Sequence, residues 1–234
     1  MTLDNLLDRL FPLGHQVHVE DQVLRGSADT ADGPVTVIGT TDHVEVGIEH
    51  ALALADAVLA STRNHPERSI VMLVDTAGQR LSRRDELLAI NGYLGHLAQC
   101  LELARRRGAR LVSLVYGEAV SGGFLSFGLM ADEIHALPEA QVRVMDLRAM
   151  ARVTKQPVER LQELSQTSPV FAPGVDNYEA MGAVQSLWQD NLAEHLVTAL
   201  RADSSGDQRR RLGQERGGRQ LAGEIADKVA GGTL

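Results

Sequence analysis

An α/β layer fold is what this sequence predicts, and three observations carry the prediction. Short apolar or β-branched runs recur at Val35-Thr36-Val37-Ile38-Gly39, Ser69-Ile70-Val71-Met72-Leu73-Val74 and from Ala109 to Tyr116. Each ends at turn residues, as buried strands do. Helix-length segments lie between them: Val46 to Ala60 is Ala/Leu-rich, and Ser82 to Arg107 has apolar residues near helical spacing. Strand and helix in alternation is the mark of an α/β layer structure.

The boundaries of these elements have local causes. Ser82 with Asp85 resembles a capping box, with Asp where Glu or Gln is usual. Arg105-Arg106-Arg107 followed by Gly108 places positive charge at the negative end of the helix dipole and then a residue that turns the chain. After Gln141 the pattern becomes mostly helical, punctuated by Pro157, Pro169, Pro173 and Gly174. From Asp203 the composition turns to Gly, Arg, Ser and Asp. It reads as a loose connection before a final helix near Arg219 to Val229, giving a main domain over 1–200 and an Arg/Gly-rich tail over 201–234. Five arginines fall between Arg209 and Arg219; a solvated helix face is favoured there over a phosphate contact.

Composition narrows the function. The 234 residues are 44% hydrophobic, enough for one sizeable core. The net charge of −8 argues against a general nucleic-acid or anionic-membrane binder. Cys100, the single cysteine, excludes an internal disulfide, and no CxxC or Cys/His cluster offers a metal site. Met1 leads into a short amphipathic stretch with Asp4 and Asp8, not a signal peptide. Ala51 to Ala60, interrupted by Asp56, is too short to span a bilayer. A cytoplasmic protein is expected.

Two glycine turns at strand ends are the informative places: Val74-Asp75-Thr76-Ala77-Gly78-Gln79 and Tyr116-Gly117-Glu118-Ala119-Val120-Ser121-Gly122-Gly123-Phe124. After the second, a helix over about Gly122 to Ala131 is expected. Its first-turn N–H groups would be unpaired and suited to a developing anion. Paired glycines let a substrate approach without a Cβ in the way. Spacing alone favours the plainer reading, a tight strand-to-helix connection. Neither turn matches GxxxxGK[ST] or GxGxxG, which argues against a nucleotide phosphate as the anion.

These residues carry a resemblance. Asp75-Thr76-Ala77-Gly78 and Gly117-Glu118-Ala119-Val120-Ser121-Gly122-Gly123 resemble the D-T-P-G and G-E-G-G-S-G-G turns of the carboxyltransferase alpha subunit of acyl-CoA carboxylases. Ala131-Asp132-Glu133-Ile134-His135-Ala136 and Glu179-Ala180-Met181-Gly182-Ala183-Val184 resemble segments shared across the crotonase superfamily. Thr167 to Gly174, with Asn177-Tyr178 and Leu187-Trp188, resembles the gamma subunit of biotin-independent malonate decarboxylase in particular. The resemblance runs to about Leu200. It implies a crotonase/ClpP-like fold of repeated ββα-type units with a C-terminal helical region.

The same resemblance implies a malonyl thioester held on the prosthetic arm of an acyl-carrier subunit, with no cofactor bound by this chain. It also implies a homologous beta subunit that supplies the facing wall of the site. Loss of CO2 leaves an enolate whose charge collects on the thioester oxygen, where backbone N–H groups stabilise it. Gly122 and Gly123 are assigned that role, with Ala77 and Gly78 as a facing wall or second donor set. Ser121, Glu118 and Thr76 are expected to contact substrate. Ala77 and Ala119-Val120 replace Pro and Gly-Gly of the carboxyltransferases, which implies a narrower site that does not hold biotin.

The remaining candidates have structural readings. Glu118, His135, Tyr178 and water are all possible proton donors. Glu118 is favoured as a turn carboxylate bonded to nearby backbone, and His135 as a satisfied core or edge histidine. Asp75 is expected to fix its own turn, and His43 to cap a helix. Tyr178 and Trp188 are packing residues. Ser121 is expected to be the N-cap of the helix at Gly122.

Three rival functions remain. A lone hydratase or isomerase lacks its paired glutamates here, since Glu133 and Glu139 form no evident pair. A serine peptidase using Ser121 needs a base, with only Lys155 or a histidine to offer. A docking subunit without catalysis would not require small residues at both strand ends.

Overall fold

The computed structural model describes residues 1–166, 172–202, 206–218 and 220–232. Helix α1 (Leu3–Leu10) leads into an antiparallel meander of β1 (His18–Glu20), β2 (Val23–Thr30) and β3 (Gly33–Thr40). The sequence reading gave nothing to β1 and β2. Arg25, Gly26, Ser27 and Asp29 interleave with the apolar residues of β2, which is only partly buried, and all three residues of β1 are exposed. Next come β4 (Val44–Val46), α2 (Ile48–Asn64), β5 (Ile70–Gln79), α3 (Arg83–Leu87), α4 (Ile90–Arg106), β6 (Leu111–Val120) and α5 (Ser121–Leu125). β7 (Glu133–Ala136), β8 (Gln141–Arg143), α6 (Leu147–Thr154), α7 (Val158–Ser165), α8 (Val175–Ala180), β9 (Ser186–Leu187) and α9 (Leu192–Arg201) follow. The described chain closes with α10 (Arg209–Glu215) and α11 (Gln220–Ala230).

The sheet is parallel through β3-β5-β6-β7-β9, with β1 and β2 added antiparallel at one edge. β5 and β6 are long because each serves two strand layers. Ile70–Val74 of β5 pairs with β3 and β6, whereas Thr76–Gln79 pairs with β4 after a register shift. Likewise β6 pairs with β7 along Val112–Val115, then with β8 along Glu118–Val120. A strand in the main layer, a strand in the second layer and then a helix is the repeating unit: β3-β4-α2, the two halves of β5 with α3-α4, the two halves of β6 with α5, and β7-β8-α6. These are the ββα-type repeats that the family resemblance implies.

Ile70 to Val74 are each 0% exposed, since helices cover both faces of the main layer. Burying one such aliphatic side chain stabilises the fold by about 1.5–3 kcal/mol. α2 and α4 pack on one face, with Leu54, Val58, Leu97 and Leu101 in the core; α1 and α9 cover the other with Leu6, Leu10, Leu196 and Ala199. A smaller cluster joins Val44, Val46 and Ile48 to Ile90 and Leu94.

Two expected helices and one expected loose connection differ. The Ser82–Arg107 segment is two helices, because Ala89 takes a left-handed conformation (φ 59°). That break aims Ile90 and Leu94 at the small cluster, while Ser82 still caps α3 by accepting the Asp85 N–H at 3.1 Å. The Gly122–Ala131 helix ends at Leu125 and is followed by a 3₁₀ turn, Gly128–Met130. Gly128 lies against Val74 and the Phe124 ring, where a Cβ would sit 2.7 and 2.9 Å from them. The expected loose connection near 209 is helix α10.

α10 docks on the turn after α8 through two glycines: a Cβ on Gly182 would lie 2.3 Å from the Arg209 carbonyl, and one on Gly213 2.4 Å from that of Met181. The arginines there are not simply a solvated face. Arg216 donates to the carbonyls of Glu179, Val184 and Gln185 at 2.8–2.9 Å, and Arg209 reaches the Leu129 carbonyl. Arg210 and Arg211 pair with Asp227 and Glu215. Arg219 and the motif residues 167–171 lie outside the described residues. Among the described residues, no helix is long and apolar enough to cross a membrane.

Candidate active site

The site forms where β5 and β6 leave the main layer side by side. Asp75 stands at the bend of β5, buried at 5% exposure. Its carboxylate accepts the Glu118 N–H at 2.8 Å and the His43 N–H at 3.0 Å, and its Oδ1 lies 2.8 Å from His43 Nδ1. Asp75 therefore holds the other turn and the β3–β4 connection, not its own turn as the sequence reading expects. Gly117 makes room for it: a Cβ there would lie 2.3 Å from Asp75 Oδ1. His43 caps no helix. It sits in a turn with φ 49°, and the next helix begins at Ile48.

One residue on, Thr76 donates its hydroxyl to the Val44 carbonyl at 2.7 Å and accepts the Gly78 N–H at 3.0 Å. Gly78 has φ +107°, which a side chain would strain. Between them, exposed Ala77 has no partner in the register with β4 or with β6. Its peptide is thus bulged out of both ladders.

The second turn locks onto the first. A Cβ on Gly123 would lie 2.9 Å from the Gly78 carbonyl carbon, 2.9 Å from Thr76 Oγ1 and 3.0 Å from the Gly78 oxygen. Glycine is needed at 123 for space and at 78 for conformation. Gly122 donates its N–H to Gln79 Oε1 at 2.8 Å, so this peptide, expected to face substrate, is already satisfied within the chain. The Gly123 N–H lies in the first turn of α5 and has no intrahelical partner.

Ser121 is not the N-cap. The cap position is Val120, and Ser121 is the first helical residue with φ 45°. Among the described residues no hydrogen bond joins its Oγ to a histidine or lysine, as a nucleophilic serine would need. The Val120 side chain lies over the first turn, its Cγ1 3.6 Å from where a Gly78 Cβ would be. Glu118 turns its carboxylate to Arg143 on β8 at 3.1 Å rather than to backbone N–H groups.

Thr76 to Gln79 and Glu118 to Gly123 are thus brought together, whereas His135 is elsewhere. It stacks on Trp188 at 4.4 Å in the core under α1 and α9, with Nδ1 2.9 Å from Ser186 Oγ. Burial pushes its pKa down to about 3, so it stays neutral. Tyr178 packs on the helical-side core, its phenol raised by burial. Gln79 and Arg143 were missed from sequence: a glutamine after a glycine turn and an arginine in a three-residue strand carry no local signal.

Solved structures share this arrangement of layers. Over 96% of this chain and 97% of the other, the fold matches a Pseudomonas malonate decarboxylase hetero-tetramer, in complex with coenzyme A, at a TM-score of 0.79 and 24% identity. A Pseudomonas MdcD-MdcE hetero-dimer matches over 98% of both chains at TM-score 0.73 and 24% identity. Transcarboxylase 12S matches over 84% of this chain and 40% of its own at TM-score 0.70 and 17% identity. Fold and interlocked turns together define the class, a crotonase-type α/β fold of ββα repeats.

The sequence comparisons go further. The model of the malonate decarboxylase gamma subunit family matches residues 41–233, and the chain belongs to that family. It is also 32% identical over 202 residues to a malonyl-S-ACP:biotin-protein carboxyltransferase of Malonomonas rubra, covering 77% of this chain and 69% of the relative.

Proposed function

We propose that this chain is one wall of a two-subunit site that decarboxylates a malonyl thioester delivered on an acyl-carrier subunit, a homologous beta subunit supplying the other wall. Family membership supports the malonyl chemistry, and the interlocked turns carry the mechanism. The Ala77 peptide, bulged out of both ladders, and the Gly123 peptide, in the first turn of α5, are the oxyanion donors assigned to this wall, while Gly78 and Gly122 spend their N–H groups on Thr76 and Gln79. When the bond to the carboxylate breaks, its electron pair moves into the enolate and CO2 leaves. Charge grows on the thioester oxygen, where fixed donors lower the barrier without reorganising. Protonation of the enolate carbon gives the acetyl thioester. Glu118 is held by Arg143, His135 lies in the opposite core and Tyr178 is packed against the α2–α4 core, so of the four candidates water is the one assigned.

A second reading has an observation of its own. The Malonomonas relative is named as a carboxyltransferase to biotin, so the same enolate could serve carboxyl transfer. The Val120 side chain over the Gly78 turn narrows this wall and favours decarboxylation without biotin.

Ser121 provides the test against covalent catalysis. Assembled with its beta subunit, the Ser121→Ala variant is expected to decarboxylate malonyl-carrier thioester within about tenfold of wild type, a change of about 1.4 kcal/mol. Labelling of Ser121 by a fluorophosphonate probe, or complete loss of turnover in the folded assembly, would instead establish a nucleophile.

A further inference from the structure

We infer that α6 is the docking surface for the acyl-carrier subunit, and that the face it receives is acidic. The inference rests on the carrier-borne substrate proposed above. α6 buries none of its side chains, although Leu147, Met150 and Ala151 turn partly inward. Arg148 and Arg152 stand four residues apart on one face of the helix, and Lys155 follows as its C-cap, in a left-handed conformation with φ 60°. All three are exposed. Beside them Val153 is 69% exposed, an apolar contact at the edge of the basic stripe.

The stripe gathers three cations without an ion pair in one short segment, whereas the other such arginines among the described residues, Arg63, Arg68, Arg83, Arg107 and Arg216, are spread over other elements. Elsewhere among the described residues most arginines are paired with an acid, including Arg143 and Arg160 on either side of α6. Arg148, Arg152 and Lys155 make no ion pair among the described residues. The one carboxylate at the helix start, Asp146, accepts the Ala149 N–H at 2.7 Å as the N-cap. A net charge of −8 makes an open basic stripe a poor device for nucleic acid or an anionic membrane, which the rest of the surface would repel. It suits a compact acidic partner met at one spot.

Position supplies the second argument. Arg143 is opposite Val120 in the β6–β8 register, beside the glycine turn, and α6 begins four residues later. Fully extended, four residues span at most about 14 Å, and α6 itself is about 12 Å long. A carrier seated on α6 would thus place the root of its arm within reach of the Ala77 and Gly123 peptides. Complementary charge at such a rim chiefly raises the encounter rate and is sensitive to salt.

The experiment uses the assembled complex and a charge-reversed variant, R148E/R152E/K155E, alongside the neutral R148Q/R152Q/K155Q. For malonyl thioester on the carrier subunit, kcat/KM is expected to fall at least tenfold on reversal and less on neutralisation, with the salt dependence reduced. For malonyl-coenzyme A, which has no carrier to dock, it is expected to stay within twofold. Unchanged carrier kinetics, an equal loss for both substrates, or failure of the variant to bind the beta subunit would each overturn the assignment. Should the wild-type complex decarboxylate neither thioester, the function proposed above fails and calorimetric titration with the carrier decides the docking alone. Binding weakened by the reversal sustains it; binding absent from wild type, or unaffected by the reversal, ends it.

Discussion

Gly123→Ala, assembled with its partner subunit, is expected to lose about 10²–10³-fold in malonyl-thioester turnover, the effect of removing one preorganised oxyanion donor. The φ of Gly123 is not in the left-handed region, so the substitution is not forbidden by backbone conformation. It is forbidden by space. The new Cβ would meet the Gly78 backbone and Thr76 Oγ1 at 2.9–3.0 Å, contacts that must be relieved by moving one turn off the other. The movement separates the Gly123 N–H from that of Ala77. Overpacking of this kind costs about 1–3 kcal/mol of stability, so melting is measured with turnover. A variant that melts a few degrees lower yet turns over like wild type would remove Gly123 from the site.

Asp75→Ala is expected to be the most destabilising single change at the site. One buried carboxylate there satisfies the N–H groups of His43 and Glu118 and meets the His43 ring. Hydrogen bonds to a charged group contribute about 1.5–3 kcal/mol each. A loss of about 3 kcal/mol corresponds to a drop of roughly 6–12 °C in Tm for a chain of this size. Asp75→Asn is also unfavourable, since its amide nitrogen would face an N–H donor on one side. Both variants should lose turnover, because the Glu118 peptide anchors the strand leading to Gly123. Melting and activity near wild type would show that the turns hold together without Asp75.

How much of this was legible from residues alone divides along physical lines. Buried parallel strands such as Ile70–Val74 announce themselves because both faces are apolar, and the helices between them follow from spacing. β1 and β2 do not, because β1 at the sheet edge is exposed along its length and β2 beside it is only partly buried, with Gly26 and Ser27 in its middle. The Ala89 break is tertiary: nothing in Leu87-Leu88-Ala89-Ile90 opposes a continuous helix until Ile90 and Leu94 find Val44 and Val46.

The glycine turns stand out by composition, yet which peptide is free and which is occupied depends on partners distant in sequence. Gln79 takes the Gly122 N–H across 43 residues, and Asp75 takes that of Glu118 across the same interval. Pairings of this kind arise only when two strand ends lie side by side. That is also why Glu118, expected to bond its own turn, faces Arg143 instead.

The central claim is that this chain is half of a site, and reconstitution tests it most directly. Decarboxylation of malonyl-carrier thioester should be measured for this chain alone, for its beta subunit alone and for the two together. The account predicts turnover only in the mixture, since one wall of donors without its facing wall neither holds the thioester nor excludes water. Robust turnover by this chain alone, or an assembled complex that binds malonyl-carrier and releases no CO2, would contradict it.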